Sequence, residues 1–244
     1  MKLEMNAVRA ILASTVVAIS VPAFAGGFAD CPQFFANGHP PAMKGEKLRE
    51  LCYAHFAVLH SGATRTPLFS AEKLTAADMK ASAGETRTNK FFADARLPSA
   101  ERAELQDYEG SGFDRGHMSP AGDQPDDTAM AQSFSLANMI PQAPHNNRGP
   151  WANFEKSVRK YVAKADGPVY VISGPVFEGT PPKLNNRVSV PAHLFKLVYD
   201  KNENKAWAYW IDNTNEARAS KPISYPDLTR RLGIELLPGL HPNS

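Results

Sequence analysis

The chain has 244 residues, 43% of them hydrophobic, and a formal net charge of +2. No internal repeat, low-complexity tract or flexible linker divides it, so we expect a single domain with one sizeable core. The small charge excess argues against a high-affinity binder of duplex nucleic acid, although a local arginine cluster would suffice for a transient contact.

The first 25 residues are typical of a secretory signal peptide. Lys2 and Arg9 precede an apolar stretch at residues 11–21 that is short for a membrane span, and Ala23-Phe24-Ala25 matches an A-x-A cleavage site. An uncleaved anchor is the alternative. We expect cleavage to leave residues 26–244 as one domain without stable membrane association, in the periplasm or outside the cell.

The chain has two cysteines, Cys31 and Cys52. In an exported protein they are expected to form one disulfide. Closing a loop of about 20 residues would stabilise the fold by roughly 3 kcal/mol in the chain-entropy model. A reactive thiol pair is disfavoured because the spacing is not C-x-x-C.

The predicted elements alternate irregularly along the chain. Residues 86–94 are predicted to be a loop or irregular strand, and Gly233 suits the end of the last helix. Predicted helices cover residues 44–51, 70–82 (with Ser70 as cap and Glu72 exposed), 99–108, 128–135, 151–164 and 224–232; predicted strands cover 53–60, 169–173, 194–200 and 205–211. The last two strands flank four polar residues and predict a hairpin. This order favours an α+β fold with a largely antiparallel sheet.

One short stretch, Asp114-Arg115-Gly116-His117, carries groups suited to cutting a phosphodiester bond. That reaction needs a base, positive charge at the phosphorane and a stabilised leaving oxygen. His117 is the natural base because an imidazole titrates near neutrality. Gly116 has no side chain, so a phosphate could approach the backbone closely.

Downstream residues supply the remaining chemistry. Asn147 offers an uncharged oxygen to Mg²⁺, a cation that keeps several waters and takes few protein ligands. Glu155 is placed to hold a water of the hydrated cation. Arginine side chains form fork-shaped contacts with phosphate oxygens, and the three that fit this role are Arg115, Arg159 and Arg87.

Each of these residues also has an ordinary structural interpretation. His117 would more often be a structural or exposed loop histidine. Asn147 would cap the following helix. Glu155 and Arg159, one turn apart, would form a surface ion pair. Asp114 would accept local backbone hydrogen bonds. Spacing alone leaves these alternatives open.

The whole pattern resembles the DNA/RNA non-specific endonucleases of the ββα-metal type, which include bacterial secreted nucleases and mitochondrial endonuclease G. It consists of Asp-Arg-Gly-His at 114–117, Asn-x-x-Pro-Gln at 138–142, then Asn147, Trp151, Glu155 and Arg159. The resemblance implies a ββα-metal fold with a largely antiparallel central sheet flanked by helices. It also implies metal-dependent hydrolysis of DNA and RNA to 5′-phosphorylated fragments.

The resemblance further implies individual roles. His117 would be the general base, and Asn147 would bind Mg²⁺, with Mn²⁺ as an alternative. Glu155 would orient a water of the cation. Arg115, Arg87 and Arg159 would contact phosphate or stabilise charge. Asn138 and Gln142 would bind the substrate or position the site. Whether the chain forms a homodimer stays open.

One departure concerns the metal ligand. The family's common Leu-Asn-Gln is here Asn146-Asn147-Arg148, which makes Asn146 a second candidate, although the distance to Trp151 favours Asn147. Two other functions remain as alternatives. One is a phosphodiesterase acting on another substrate, and the other is an inactive module that only binds nucleic acid or an envelope partner.

Overall fold

The computed structural model describes residues 27–243. The predicted signal peptide, residues 1–25, lies outside the described residues. Within the described part, no helix is both long and apolar enough to cross a membrane.

A seven-stranded antiparallel sheet forms the centre of the protein. Its strand order is β1-β2-β3-β6-β9-β10-β11. The strands are β1 (Leu48–Cys52), β2 (Phe56–Ser61), β3 (Thr66–Leu74), β6 (Val169–Val176), β9 (His193–Asp200), β10 (Lys205–Asp212) and β11 (Ile223–Ser224). The predicted α+β class with an antiparallel sheet is confirmed, and so is the β9–β10 hairpin.

Four short strands lie outside this sheet and form two hairpins. They are β4 (Asp114–His117) with β5 (Met139–Gln142), and β7 (Lys183–Leu184) with β8 (Val188–Ser189). The helices are α1 (Ala76–Ser82), α2 (Asp127–Ser133), the single turn α3 (Pro144–Asn146), α4 (Ala152–Val162) and α5 (Tyr225–Leu232). Short 3-10 turns complete the chain.

The two faces of the sheet bury different elements. One face packs against the N-terminal segment and α5, through residues such as Phe69, Leu197 and Leu228. On the other face, Val158 and Val162 of α4 contact the sheet. Trp151 and Phe154 join that second core beside β5, so the β4–β5 hairpin and α4 lie on the same side of the molecule.

Several predicted boundaries are confirmed. Gly233 ends α5 in the left-handed conformation, with φ of 68°, and Ser224 caps the start of that helix by accepting from the Asp227 backbone N–H. The disulfide between Cys31 and Cys52 is formed and attaches the N-terminal segment to β1.

Three predicted helices are wrong in whole or in part. Within the predicted helix at 44–51, residues 48–51 belong to β1 instead, because they pair in register with β2. The predicted helix at 70–82 begins only at Ala76, since residues 66–74 are enclosed between β2 and β6. Thr75, not Ser70, is its cap, in a reciprocal capping box with Asp78. The predicted helix at 99–108 is a series of turns with one 3-10 turn at Leu105–Asp107.

Candidate active site

The β4–β5 hairpin positions the Asp-Arg-Gly-His stretch. Asp114 lies opposite Gln142, and His117 lies opposite Met139. Successive side chains of a strand point to opposite faces. Asp114 and Gly116 therefore share one face of the hairpin, and Arg115 and His117 share the other.

His117 is buried rather than exposed, with 7% of its surface accessible. Its ring makes edge-to-face contact with Phe134 at a centroid distance of 5.0 Å and lies 5.8 Å from Phe91. Burial, with a smaller contribution from the nearby Arg87 guanidinium, lowers the pKa of His117 to about 3. The imidazole is therefore neutral at pH 7, the form that accepts a proton.

Asn147 has its amide fixed by a carboxylate. Its Nδ2 donates to Oδ2 of Asp114 at 2.8 Å. A carboxylate only accepts hydrogen bonds, so the amide nitrogen must face Asp114 and Oδ1 must point away. No described residue donates to that Oδ1. The alternative role of Asn147 as a helix cap is not seen, because α4 has no side-chain cap.

Asp114 is held in turn by Arg148. The Arg148 Nε donates to Oδ2 at 2.8 Å, and Nη2 donates to Oδ1 at 2.6 Å. Although burial opposes it, these bonds and the Asn147 bond lower the pKa of Asp114. Asp114 therefore accepts side-chain rather than backbone hydrogen bonds, and one of these bonds fixes the orientation of the Asn147 amide.

A wide turn presents Asn147 at the start of α4. Residues Asn147–Trp151 form one π-helical turn that contains Pro150. Proline has no N–H to donate, so the normal helical hydrogen bond is missing there. Trp151 is fully buried and fixes the far end of the turn in the core.

Asn146 is excluded as the alternative ligand by its own contacts. It is fully buried. Its Nδ2 donates to the Asp212 carbonyl, and its Oδ1 accepts from Nε2 of Gln142 at 2.9 Å. Both halves of the amide are used inside the protein, so of the two neighbouring asparagines Asn147 has the available oxygen.

Gln142 and Asn138 do not reach the surface. Both are fully buried. The Oδ1 of Asn138 accepts from Ser70 Oγ and from the Ser119 backbone N–H, while its Nδ2 donates to the carbonyls of Ser119 and Ser133. Direct substrate binding by either residue is therefore a wrong prediction for this structure, and positioning of the hairpin is the role that their contacts support.

Gly116 is required by Gln142 rather than by a phosphate. A Cβ at position 116 would lie 2.0 Å from Oε1 of Gln142 and 2.6 Å from its Cβ. The glutamine fills the space that the missing side chain leaves. The predicted close approach of phosphate to this backbone is not available.

Glu155 and Arg159 do not form the surface ion pair that their spacing suggested. Arg159 Nη1 donates instead to Asp123 Oδ1 at 2.8 Å, and Asp123 is buried. The Glu155 carboxyl has no described hydrogen-bond donor. Burial raises the pKa of Glu155 to about 7, with a smaller contribution from Asp123, while Lys196, Arg159 and Arg87 oppose the rise.

Arg87 connects the two halves of the site. It lines the same cleft as Asn147, together with Phe91, Arg115 and Arg148. Its charge acts on both the His117 imidazole and the Glu155 carboxyl. Asn147, Arg87 and Arg115 therefore line one cleft, and the charge of Arg87 links that cleft to the buried His117 and to Glu155.

Two charged residues that lie beneath the site were not identified from the sequence. Glu72 is buried, not exposed on a helix, and its Oε1 accepts from Ser119 Oγ at 2.6 Å. Lys196 is 1% exposed; its Nζ donates to Ser173 Oγ at 2.6 Å and lies 4.9 Å from the Trp151 ring centroid. The burial of Lys196 could have been predicted, because residues 194, 196 and 198 of an apolar strand point to the same face, and the other two are Leu194 and Val198.

The donor set suits a cation that binds few protein ligands. Within residues 27–243, no three His, Cys, Asp or Glu side chains gather as a metal site. The available oxygens belong to the Asn147 amide and the Glu155 carboxyl. Mg²⁺ prefers oxygen ligands and retains several waters, so these residues fit it.

The chain is similar in sequence to known nucleases. Nuclease C1 of Cunninghamella echinulata var. echinulata is 38% identical over 63% of this chain and 66% of its own length. Human mitochondrial nuclease EXOG is 30% identical over 78% of this chain and 57% of its own length. The chain thus spans about half to two thirds of the length of these relatives.

The fold has a solved counterpart. The crystal structure of an EndoG/EndoGI complex covers 91% of this chain and 94% of its own chain, with a TM-score of 0.71 and 23% identity. At that identity the likeness concerns the fold. The family model for DNA/RNA non-specific endonucleases matches residues 35–240. This chain therefore belongs to the DNA/RNA non-specific endonuclease family.

Proposed function

We propose that this chain hydrolyses phosphodiester bonds of DNA and RNA without strong sequence specificity, using a divalent cation held by Asn147. One observation carries the proposal. The Asn147 amide is locked by Asp114 so that Oδ1 is left without a donor, in a cleft lined by arginines. Orienting a ligand through a hydrogen-bonded neighbour is how proteins prepare metal sites.

His117 is the proposed general base. The low pKa keeps its ring neutral, and the aromatic contacts with Phe134 and Phe91 fix the plane of the ring. A neutral imidazole accepts the proton of an attacking water as the water oxygen bonds to phosphorus. The bond from phosphorus to the leaving oxygen then breaks, the leaving oxygen takes a proton from water, and the ring releases its proton to solvent.

Arginines supply the positive charge in this proposal. Arg87 and Arg115 line the cleft and have no carboxylate partner among the described residues. Arg115 stacks on Phe91 at 4.2 Å, which holds its guanidinium flat against the wall. Arg159 is paired with Asp123 through Nη1, and its other guanidinium N–H groups can donate to a phosphate oxygen.

The proposed cofactor is Mg²⁺, with Mn²⁺ as an alternative of the same oxygen preference. The family is typically metal-dependent. When bound, the ion would act as a Lewis acid on a phosphate oxygen and on the leaving oxygen. Asn147 would hold it directly, and Glu155 would orient its water.

The test is degradation of plasmid DNA and of a defined RNA, with and without EDTA, followed by restoration with Mg²⁺ or Mn²⁺. Cation-dependent cutting of both polymers is the expected result. Cutting of only a small diester would instead indicate a phosphodiesterase, and binding without cutting would indicate an inactive module. Either of these results would refute the proposed function.

We also propose export, cleavage of residues 1–25 and residence in the periplasm or medium. The Cys31–Cys52 disulfide supports this, since such bonds persist in oxidising compartments. Cell fractionation with mass spectrometry of the mature N-terminus tests it. An intact N-terminus in the cytosolic fraction would contradict it. Homodimer formation stays a prediction, which sedimentation velocity can test.

A further inference from the structure

A second basic surface lies apart from the cleft. The Trp210 groove has a volume of about 290 Å³. Its polar and aromatic lining includes Trp210, Asp212, Arg218, Lys221 and Arg231, beside the apolar Ile211, Ala217 and Ile223. The groove lies between the end of β10, the segment that joins β10 to β11, and α5. Arg218, Lys221 and Arg231 are exposed, and Trp210 is half-buried.

Unpaired arginines are concentrated at two places. Seven described arginines form an ion pair with a carboxylate. Five described arginines lack one, and of these only Arg65 lies away from both surfaces. Arg87 and Arg115 line the cleft, and Arg218 and Arg231 line the Trp210 groove. Cations left without protein partners are available to an anionic ligand.

The groove also contains an aromatic surface. The guanidinium carbon of Arg231 lies 5.0 Å from the centroid of the Trp210 ring. The single acidic side chain of the groove, Asp212, is already engaged, with Oδ1 2.8 Å from His193 Nδ1. Basic groups beside an aromatic ring suit a polynucleotide, since phosphates pair with cations and bases stack on aromatic rings.

The groove is continuous with the loop that carries the proposed metal ligand. The Asp212 carbonyl accepts from Asn146 Nδ2, and Asn215 Oδ1 accepts from the His145 backbone N–H at 3.0 Å. His145 and Arg148 line a shallow surface depression on that loop. Arg148 lines both the cleft and this depression, so the loop connects the rim of the cleft to the Trp210 groove.

We propose that the Trp210 groove is an extended binding site for the strand whose phosphodiester lies in the cleft. Arg218, Lys221 and Arg231 contact phosphates distant from the cut bond, and the Trp210–Arg231 pair contacts a base. The inference rests on the proposed function for the nature of the ligand. It adds a site outside the reacting residues.

The test is binding of a fluorescent 16-mer oligothymidylate in EDTA, measured by anisotropy as a function of salt. The variant combines Arg218→Ala, Lys221→Ala and Arg231→Ala. The matched control is Arg230→Ala, which removes a neighbouring arginine of α5 that is paired with Asp227. A trinucleotide serves as the second, shorter ligand.

The triple variant is expected to bind the 16-mer at least about tenfold more weakly, with a salt slope smaller by about 2, because each phosphate contact on a single strand contributes about 0.7. Arg230→Ala and all trinucleotide measurements should match wild type. Circular dichroism and melting of each variant establish that it is folded. Trp210→Phe should weaken 16-mer binding without changing the salt slope.

Equal 16-mer affinity and salt slope in wild type and the triple variant would overturn the inference. So would a wild-type dimer that becomes monomeric in the triple variant with unchanged oligonucleotide affinity, since the groove would then join two copies. Because EDTA prevents cutting, this result does not depend on the cleavage assay. The two proposals can therefore fail separately. A protein that cuts nucleic acid but binds the 16-mer independently of the groove would overturn this inference alone. A protein that binds the 16-mer through the groove but does not cut would overturn the proposed function alone.

Discussion

Replacing Asp114 with alanine should impair metal binding more than folding. Asp114 orients the Asn147 amide through one hydrogen bond of 2.8 Å. Without it, Oδ1 and Nδ2 of Asn147 can exchange places by rotation about the last side-chain bond. Removing a residue that orients a metal ligand typically costs about 10–100-fold in metal affinity or activity. We expect the Mg²⁺ concentration at half-maximal plasmid nicking to rise by that factor.

The effect on stability should be much smaller. The other partner of Asp114 is Arg148, whose side chain is 72% exposed. An ion pair in such a position contributes about 0–1 kcal/mol. Arg148→Ala is therefore the matched control, because it removes that pair and leaves the Asn147 bond. It should change the Mg²⁺ requirement by less than about threefold, well below the range for an orienting residue.

Two results would refute this reasoning. One is an Asp114→Ala protein with the wild-type Mg²⁺ requirement. The other is an Arg148→Ala protein whose Mg²⁺ requirement rises as much as that of Asp114→Ala. Chemical denaturation of all three proteins would separate a loss of metal affinity from a loss of fold.

Three further predictions concern other parts of the site and core. His117→Ala should lower the initial rate of DNA cutting by at least about a hundredfold, the lower range for a general base, and a wild-type rate would remove its assignment. Gly116→Ala should destabilise the fold by about 3 kcal/mol through overpacking against Gln142, and by less in a Gln142→Gly background; equal losses in both backgrounds, measured by urea denaturation, would contradict the contact. Burial lowers the pKa of His60 to about 4. Its contribution to stability is therefore present above the unfolded pKa of about 6.5 and lost as pH falls towards 4. Between pH 7.5 and pH 5, the free energy of unfolding of wild type should fall by about 2 kcal/mol more than that of His60→Gln. The carboxyl groups are the same in both proteins, so their titration cancels in this comparison. Parallel pH profiles would refute that sign.

Residue type and spacing selected the candidate residues of the site, but they left ordinary structural roles open to His117 and Asn147. The resemblance to a nuclease family favoured the catalytic roles proposed for both. What spacing could not reveal was the partner of each side chain. Asp114 and Asn147 are 33 positions apart in the chain, and only the folded hairpin brings them into contact.

Local helix propensity gave a wrong prediction where pairing within the sheet determines the conformation. Residues 70–74, the start of the predicted helix, are compatible with a helix, yet pairing with β2 and β6 makes them part of a central strand. That change buries Glu72, which a surface helix would have exposed. Conversely α5 was predictable, because its cap at Ser224 and its end at Gly233 are set by neighbouring residues.

The most direct test of the account is Mn²⁺ binding, measured by electron paramagnetic resonance titration of wild type, Asn147→Ala and His117→Ala. Wild type and His117→Ala should bind Mn²⁺ with similar affinity, since the imidazole is a base and not a ligand. Asn147→Ala should stay folded and bind Mn²⁺ at least about tenfold more weakly, as expected when a site has few protein ligands. Wild-type affinity in folded Asn147→Ala would contradict the central claim.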